Sequence, residues 1–160
     1  MENESGKIKV LFVCTGNICR SPMAQVIFAN ICKKNKRKDI VVKGAGTHAY
    51  SGEPMTAEAR ETLVKCGEKV GEKPLLSTRW NDYMIDEFDH IVCMTWEHVE
   101  FIKRRVGDSK KVYTLDEVAG CGDIPDPWSR SPKAYADVCK QLQSALAVLF
   151  EKVCNGAKKP

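Results

Sequence analysis

No stretch of this 160-residue chain is apolar for long enough to cross a bilayer, and its opening Met1-Glu2-Asn3-Glu4-Ser5-Gly6 is polar where a secretory leader would carry an apolar segment. A cytoplasmic protein is expected on these grounds. Histidine is scarce. His48, His90 and His98 fall at no spacing that suits a nucleophile's base or a metal, so structural roles are expected for all three. The glycine-rich dinucleotide fingerprint and the phosphate loop of nucleotide hydrolases are both absent, which argues against a nucleotide cofactor. Repeats, low-complexity tracts and linkers are absent too. One domain over residues 1–160 is expected, with 1–6 flexible.

Eight cysteines without a leader do not read as a disulfide framework, because a chain of this length buries a sufficient core without staples. Reduced thiols are expected. Zinc needs paired ligands, and Cys14 with Cys19 is the one close pair, so no metal is expected. Cys32, Cys66, Cys93, Cys139 and Cys154 fall mostly in apolar periodic segments and read as core or near-core thiols. The net charge of +4 is mild and serves at most to steer acidic partners. The dense basic run Lys33-Lys34-Asn35-Lys36-Arg37-Lys38 stands where a helix should end. Cations there complement the helix dipole, so neither a nucleic-acid partner nor a membrane span is expected.

Residues 7–13 carry Ile8, Val10, Leu11, Phe12 and Val13 in a nearly continuous run, the pattern of a strand buried on both faces. Ser21-Pro22 opens a helix with Met23, Val26, Ile27 and Ile31 on one face. A second strand is expected over about 40–45, bounded by Gly44 and Gly46. The loop 47–54 carries His48 and Tyr50. A helix should then run from a Thr56 cap to about Cys66 with Ala59, Leu63 and Val64 inward. A short amphipathic segment follows with Trp80, Tyr83, Met84 and Ile85, then a strand over 89–94 and a helix from about Trp96 to Val106, stopped by Gly107. The last strand is Lys111-Val112-Tyr113-Thr114. A loop over about 119–130 leads to a helix opened by Ser131-Pro132, with Tyr135, Val138, Leu142, Ala145, Leu146, Leu149 and Val153 at helical spacing.

Alternating strands and helices of this kind predict an α/β fold: a three-layer sandwich whose four-stranded parallel sheet, ordered 2-1-3-4, has helices on both faces. Ligands of such sheets bind at the carboxyl ends of the strands beside the switch point, and the first strand delivers Cys14 there.

At that end, an apolar strand, the short loop Thr15-Gly16-Asn17-Ile18-Cys19 and the helix start Arg20-Ser21-Pro22 follow in immediate succession. Such a turn gathers backbone N–H groups and a helix dipole around a space suited to an anion. The same field favours a thiolate, which makes Cys14 a candidate nucleophile, and Arg20 offers a planar fork matching two oxygens of a tetrahedral phosphate. Cys-x5-Arg alone is a short pattern, and a thiol after an apolar strand also suits a buried core position. Attack on phosphorus would leave a cysteinyl-phosphate, which calls for a proton donor to the leaving oxygen and a base for water. Asp126, in Asp126-Pro127-Trp128 after the last strand, is the candidate for both. Asp-Pro also opens ordinary turns, and Asp123 is the runner-up carboxylate.

Across Cys14-Thr15-Gly16-Asn17-Ile18-Cys19-Arg20-Ser21-Pro22 the chain resembles the low-molecular-weight protein tyrosine phosphatases, whose signature is Cys-x5-Arg-Ser near the N-terminus. The likeness extends to Ala45-Gly46-Thr47, Ile91-Val92-Cys93-Met94 and Asp126-Pro127. The resemblance implies a metal- and cofactor-independent hydrolase that acts on phosphotyrosine-containing proteins and releases inorganic phosphate. It implies Cys14, Arg20 and Asp126 as catalytic residues, with Thr15, Gly16, Ile18 and Cys19 around the substrate. Asn17 would hold the loop's shape and Ser21 would donate its hydroxyl to the Cys14 thiolate; as plain structure, the first is a turn residue and the second a helix cap. Tyr50 and Trp128 would supply aromatic walls. The chain departs from animal relatives in having Trp128 alone where they carry a tyrosine pair.

Some bacterial relatives hydrolyse phosphoarginine and carry threonine where this chain has Ile18, so the apolar side chain favours an aromatic ester. The shared loop also suggests a reversible Cys14–Cys19 disulfide protecting the nucleophile. Arsenate reductases use the same loop but relay a disulfide through further cysteines, and Cys93 has no close partner after it in a loop. A non-catalytic phosphopeptide-binding module would be expected to lack the nucleophile, the arginine or the acid, and all three residues are present.

Overall fold

The computed structural model describes residues 6–156, so all but Gly6 of the expected flexible leader lies outside the described residues. Ten elements follow in chain order: β1 (Ile8–Cys14), α1 (Arg20–Lys34), β2 (Ile40–Gly46), α2 (Ala57–Lys65), α3 (Met84–Glu87), β3 (His90–Cys93), α4 (Trp96–Val106), β4 (Val112–Thr114), α5 (Leu115–Ala119) and α6 (Pro132–Gly156). The strands form one parallel sheet ordered β2-β1-β3-β4. Register pairs Cys14 with Gly46 and Val13 with Cys93, so three strands end together where β1 delivers its thiol.

Side-chain alternation along β1 divides the core between the two faces. Val10, Phe12 and Cys14 pack with Met23, Ile27 and Phe28 of α1, Leu63 of α2 and the apolar face of α6. Leu11 and Val13 pack on the other face with Trp80, Met84, Val99 and Ile102. Both faces of β1 are therefore dry, as its unbroken apolar run predicts. On α6, Tyr135, Val138, Leu142, Ala145, Leu146, Leu149 and Val153 are all buried, in agreement with their helical spacing. The Thr56 hydroxyl accepts from Ala59 N–H at 3.1 Å and caps α2.

The structure differs from the sequence reading at several elements. Val64 is exposed rather than inward, because α2 turns only Ala59, Thr62 and Leu63 to the core. On α1 the buried stripe is Met23, Ala24, Ile27, Phe28 and Cys32, with Val26 and Ile31 at its margin. Residues 115–119, unassigned between the last strand and the loop expected over about 119–130, form a five-residue helix, α5, whose Thr114 and Glu117 satisfy each other's backbone as a capping box. The basic run ends α1 as expected. Lys33 and Lys34 occupy its last turn, and the Asn35 amide returns to the Ile31 carbonyl at 2.8 Å.

Candidate active site

The loop between β1 and α1 curls around the Cys14 sulfur. Asn17 adopts φ of 56°, a left-handed conformation that asparagine tolerates, and its N–H points back to Cys14 Sγ at 3.2 Å. The Asn17 side chain then holds the turn from inside. Its Oδ1 accepts from Thr78 N–H at 2.9 Å and its Nδ2 donates to Ser21 Oγ at 2.6 Å. With that acceptor position filled, the Ser21 hydroxyl proton is available to Cys14 Sγ, 2.9 Å away. Cys14 is only 2% exposed, so the sulfur reaches its surroundings through the mouth of the loop alone. Helix α1 has no side-chain cap and no acidic residue in its first turn, which leaves its leading N–H groups open to an anion.

Room for this curl comes from β2. A Cβ at Gly46 would stand 2.5 Å from the Thr15 carbonyl oxygen and 2.9 Å from Asn17 N, and one at Gly44 would meet the Asn17 amide at 2.8 Å. Beyond β2 the chain continues to brace the loop. Thr47 N–H donates to the Cys14 carbonyl and His48 N–H to the Thr15 carbonyl, each at 2.9 Å. Thr56 N–H donates to the Ile18 carbonyl at 2.9 Å.

Arg20 is buried and held at two points. Its Nη1 donates to the Ile124 carbonyl at 3.0 Å and its Nη2 to Thr15 Oγ1 at 3.2 Å. Ile124 is itself fixed to the end of β3, since its N–H donates to the Met94 carbonyl at 3.0 Å. The loop that carries Asp126 is thus rooted in the sheet edge. Asp126 Oδ2 lies 3.7 Å from Arg20 Nη2, and its Oδ1 accepts from the Trp128 backbone N–H at 3.1 Å, an Asx turn that fixes the carboxylate against the backbone of Trp128. Cys14, Thr15, Gly16, Ile18, Cys19, Arg20, Asp126 and Trp128 together line a pocket of about 180 Å³.

Eight of the eleven site residues expected from sequence converge on that pocket. Asn17 and Ser21 lie beneath it, buttressing the thiol. Tyr50 stands apart: the residue is 75% exposed and takes no part in the lining, and its carbonyl oxygen accepts from the Ser77 hydroxyl. Cys19 is a free thiol whose sulfur meets Tyr135 OH at 3.4 Å and Thr56 Oγ1 at 3.6 Å. Burial pushes that thiol's pKa up. Cys93 is fully buried in β3, on the sheet face opposite Cys14. No group of three or more His, Cys, Asp or Glu side chains among the described residues could hold a metal ion. One neighbour of the loop was not legible as such in the sequence: His98 of α4, whose Nε2 lies 2.9 Å from Thr15 Oγ1.

A buried thiol under an open helix end, faced by a fixed guanidinium and a solvent-exposed carboxylate, defines a cysteine-dependent phosphatase site on a parallel α/β sheet. The chain belongs to the low molecular weight phosphotyrosine protein phosphatase family, whose model matches residues 9–159. Among its relatives, a protein-arginine-phosphatase of Geobacillus stearothermophilus is 32% identical over 148 residues, covering 91% of this chain and 95% of the relative. The low molecular weight protein-tyrosine-phosphatase YfkJ of Bacillus subtilis is 29% identical over 153 residues, covering 91% and 96%. The solved YwlE arginine phosphatase, a cysteine-to-serine mutant with its active-site serine phosphorylated, superimposes with a TM-score of 0.83 at 29% identity, covering 92% of this chain and 96% of that one.

Proposed function

We propose that the protein is a protein tyrosine phosphatase that works as a single domain in the cytoplasm on phosphotyrosine-containing proteins, through a cysteinyl-phosphate intermediate. The observation that carries the reading is the convergence of Cys14, Arg20 and Asp126 on one pocket walled by Ile18 and Trp128. The phosphoryl oxygens occupy the loop's N–H groups and the Arg20 fork, which puts phosphorus in front of the Cys14 thiolate. As the S–P bond forms, the P–O bond to the phenol breaks, and Asp126 in its acid form protonates the departing oxygen. The resulting Asp126 carboxylate then takes a proton from water, whose oxygen attacks phosphorus and expels the thiolate. Ser21 Oγ–H steadies the sulfur's negative charge in both steps, and inorganic phosphate leaves.

The two apolar walls suit the faces of a phenol ring, whereas a guanidinium asks for polar partners. Phosphoarginine is the second reading, supported by the arginine phosphatase relatives and opposed by Ile18, which stands where the resemblance implies threonine in the phosphoarginine-hydrolysing members alone. Hydrolysis of phosphotyrosine, phosphoserine and phosphoarginine peptides, measured side by side without added metal, decides between them. Phosphotyrosine is expected to be the preferred substrate by at least about tenfold in kcat/KM, and Ile18→Thr to shift the ratio toward phosphoarginine. Equal or greater turnover of phosphoarginine by the unmodified enzyme would overturn the substrate assignment.

A further inference from the structure

His98 stands outside the pocket, yet both of its ring nitrogens are committed. Nδ1 accepts from Thr95 N–H at 3.2 Å and lies 3.0 Å from the Thr95 hydroxyl, at the start of α4. An Nδ1 that accepts has no proton, so a neutral ring carries its proton on Nε2. Nε2 lies 2.9 Å from Thr15 Oγ1 and therefore donates to it. The same oxygen accepts from Arg20 Nη2 at 3.2 Å. A hydroxyl oxygen has two lone pairs, and here both are engaged.

The consequence falls on the Thr15 proton. With both acceptor positions filled, Thr15 Oγ1–H acts only as a donor, and Thr15 is one of the residues that line the anion pocket. We infer that His98 is a positioning residue that locks Thr15 as an added hydrogen-bond donor to the bound phosphoryl group and steadies the outer nitrogen of Arg20. The inference rests on the phosphatase reading for its substrate and on hydrogen-bond geometry for its mechanism. His98 is 5% exposed, and the charged or titratable groups that face it from other elements are Arg20 of α1, His48 of the loop after β2 and Asp126 of the loop before α6. Burial foremost, with Arg20 next, holds its pKa down at about 4, which agrees with a ring that is neutral when the enzyme works.

The role is tested with His98→Phe, which keeps a flat ring without a donor, and His98→Gln, whose amide N–H reaches a position close to Nε2–H. His98→Phe should raise the Kd for inorganic phosphate and the KM for an aryl phosphate together, by about tenfold, with a smaller change in kcat, the pattern of a lost contact made in ground and transition states alike. His98→Gln should recover most of that loss. A packing role alone predicts the opposite ranking, because phenylalanine fills the site better than glutamine, and that outcome would overturn the proposal. Imidazole ¹⁵N chemical shifts of the unmodified protein supply a check that no folding defect can obscure. The Nε2–H tautomer is expected between about pH 6 and 8, and an Nδ1–H tautomer or an imidazolium in that range would refute it. If the unmodified protein failed to hydrolyse any phosphate ester, the phosphatase reading would fall, while the phosphate titrations would still decide the role of His98.

Discussion

Asp126, proposed as the acid, differs from Arg20, proposed as the clamp, in its exposure, with 53% of its side chain open to solvent against 7%. An acid that must meet leaving groups of different proteins belongs at the rim, whereas a clamp for an invariant phosphoryl group belongs in the floor. Asp126→Asn keeps the Asx turn's acceptor but has no acidic proton to give. It should lower kcat on phosphotyrosine by about 10²–10⁴ and lose far less on a nitrophenyl ester, whose leaving group needs little protonation. Steady-state rates on the two esters check this, and an equal loss on both would remove Asp126 from the acid's role. The pairing of Cys14 with Cys19 also belongs to this scale. Cys19 rests against Tyr135 and Thr56 as a free thiol. If Cys19 shields the nucleophile, peroxide-treated Cys19→Ser should recover less activity on thiol addition than the unmodified enzyme; full recovery would end that idea.

Among the elements, β2 does more than pair with β1. Its two glycines let the nucleophile's loop lie against the strand's end, and Gly46→Ala would push a methyl into the Thr15 carbonyl oxygen at 2.5 Å. Neither backbone can yield without disturbing the N–H groups that face the anion. The substitution is expected to cost about 1–3 kcal/mol in chemical denaturation and to weaken phosphate binding at the same time. A variant with reduced stability but unchanged phosphate affinity would separate the strand from the site. These contacts also explain what the sequence could convey. Strand β1, the Cys-x5-Arg loop and the start of α1 were legible because their signals are contiguous, and α6 because seven apolar residues repeat over about five turns. Helix α5 spans five residues, too few for a period to register. The two glycines read only as strand boundaries, since what they accommodate lies some thirty residues earlier in the chain. His98 and Thr15 are 83 residues apart and their link exists only once the sheet has formed. Tyr50 was assigned to the pocket from the family pattern, but hydrogen bonds joining Tyr50, Gly52 and Glu53 to Ser77 hold that loop on its own terms.

For the molecule as a whole, buried titratable groups set the pH range of stability. His98 and His90 are both held below the ordinary histidine value, chiefly by burial, with His98 at about 4. Below pH 6.5 the unfolded chain therefore binds protons that the folded chain refuses, and stability falls as pH drops from there toward 4. His98 alone accounts for up to about 3 kcal/mol of that loss. On the alkaline side, burial raises the thiols of Cys32, Cys93 and Cys139, Cys32 to about 12. Unfolded thiols ionise near pH 9 while these do not, so stability declines again above that point. Denaturant midpoints across the range should form a plateau between about pH 6.5 and 9, and His98→Gln should flatten its acidic shoulder.

The double anchorage of Ile124, through its N–H to the sheet and through its carbonyl to the guanidinium, divides the loop before α6 into a fixed root and a free crest. Evolution can therefore rewrite Ser129 and Arg130, altering which proteins are welcomed at the rim, while Asp126, Trp128 and the groups below them keep their alignment. Diversification of targets within such a scaffold needs no retuning of the machinery that breaks the bond.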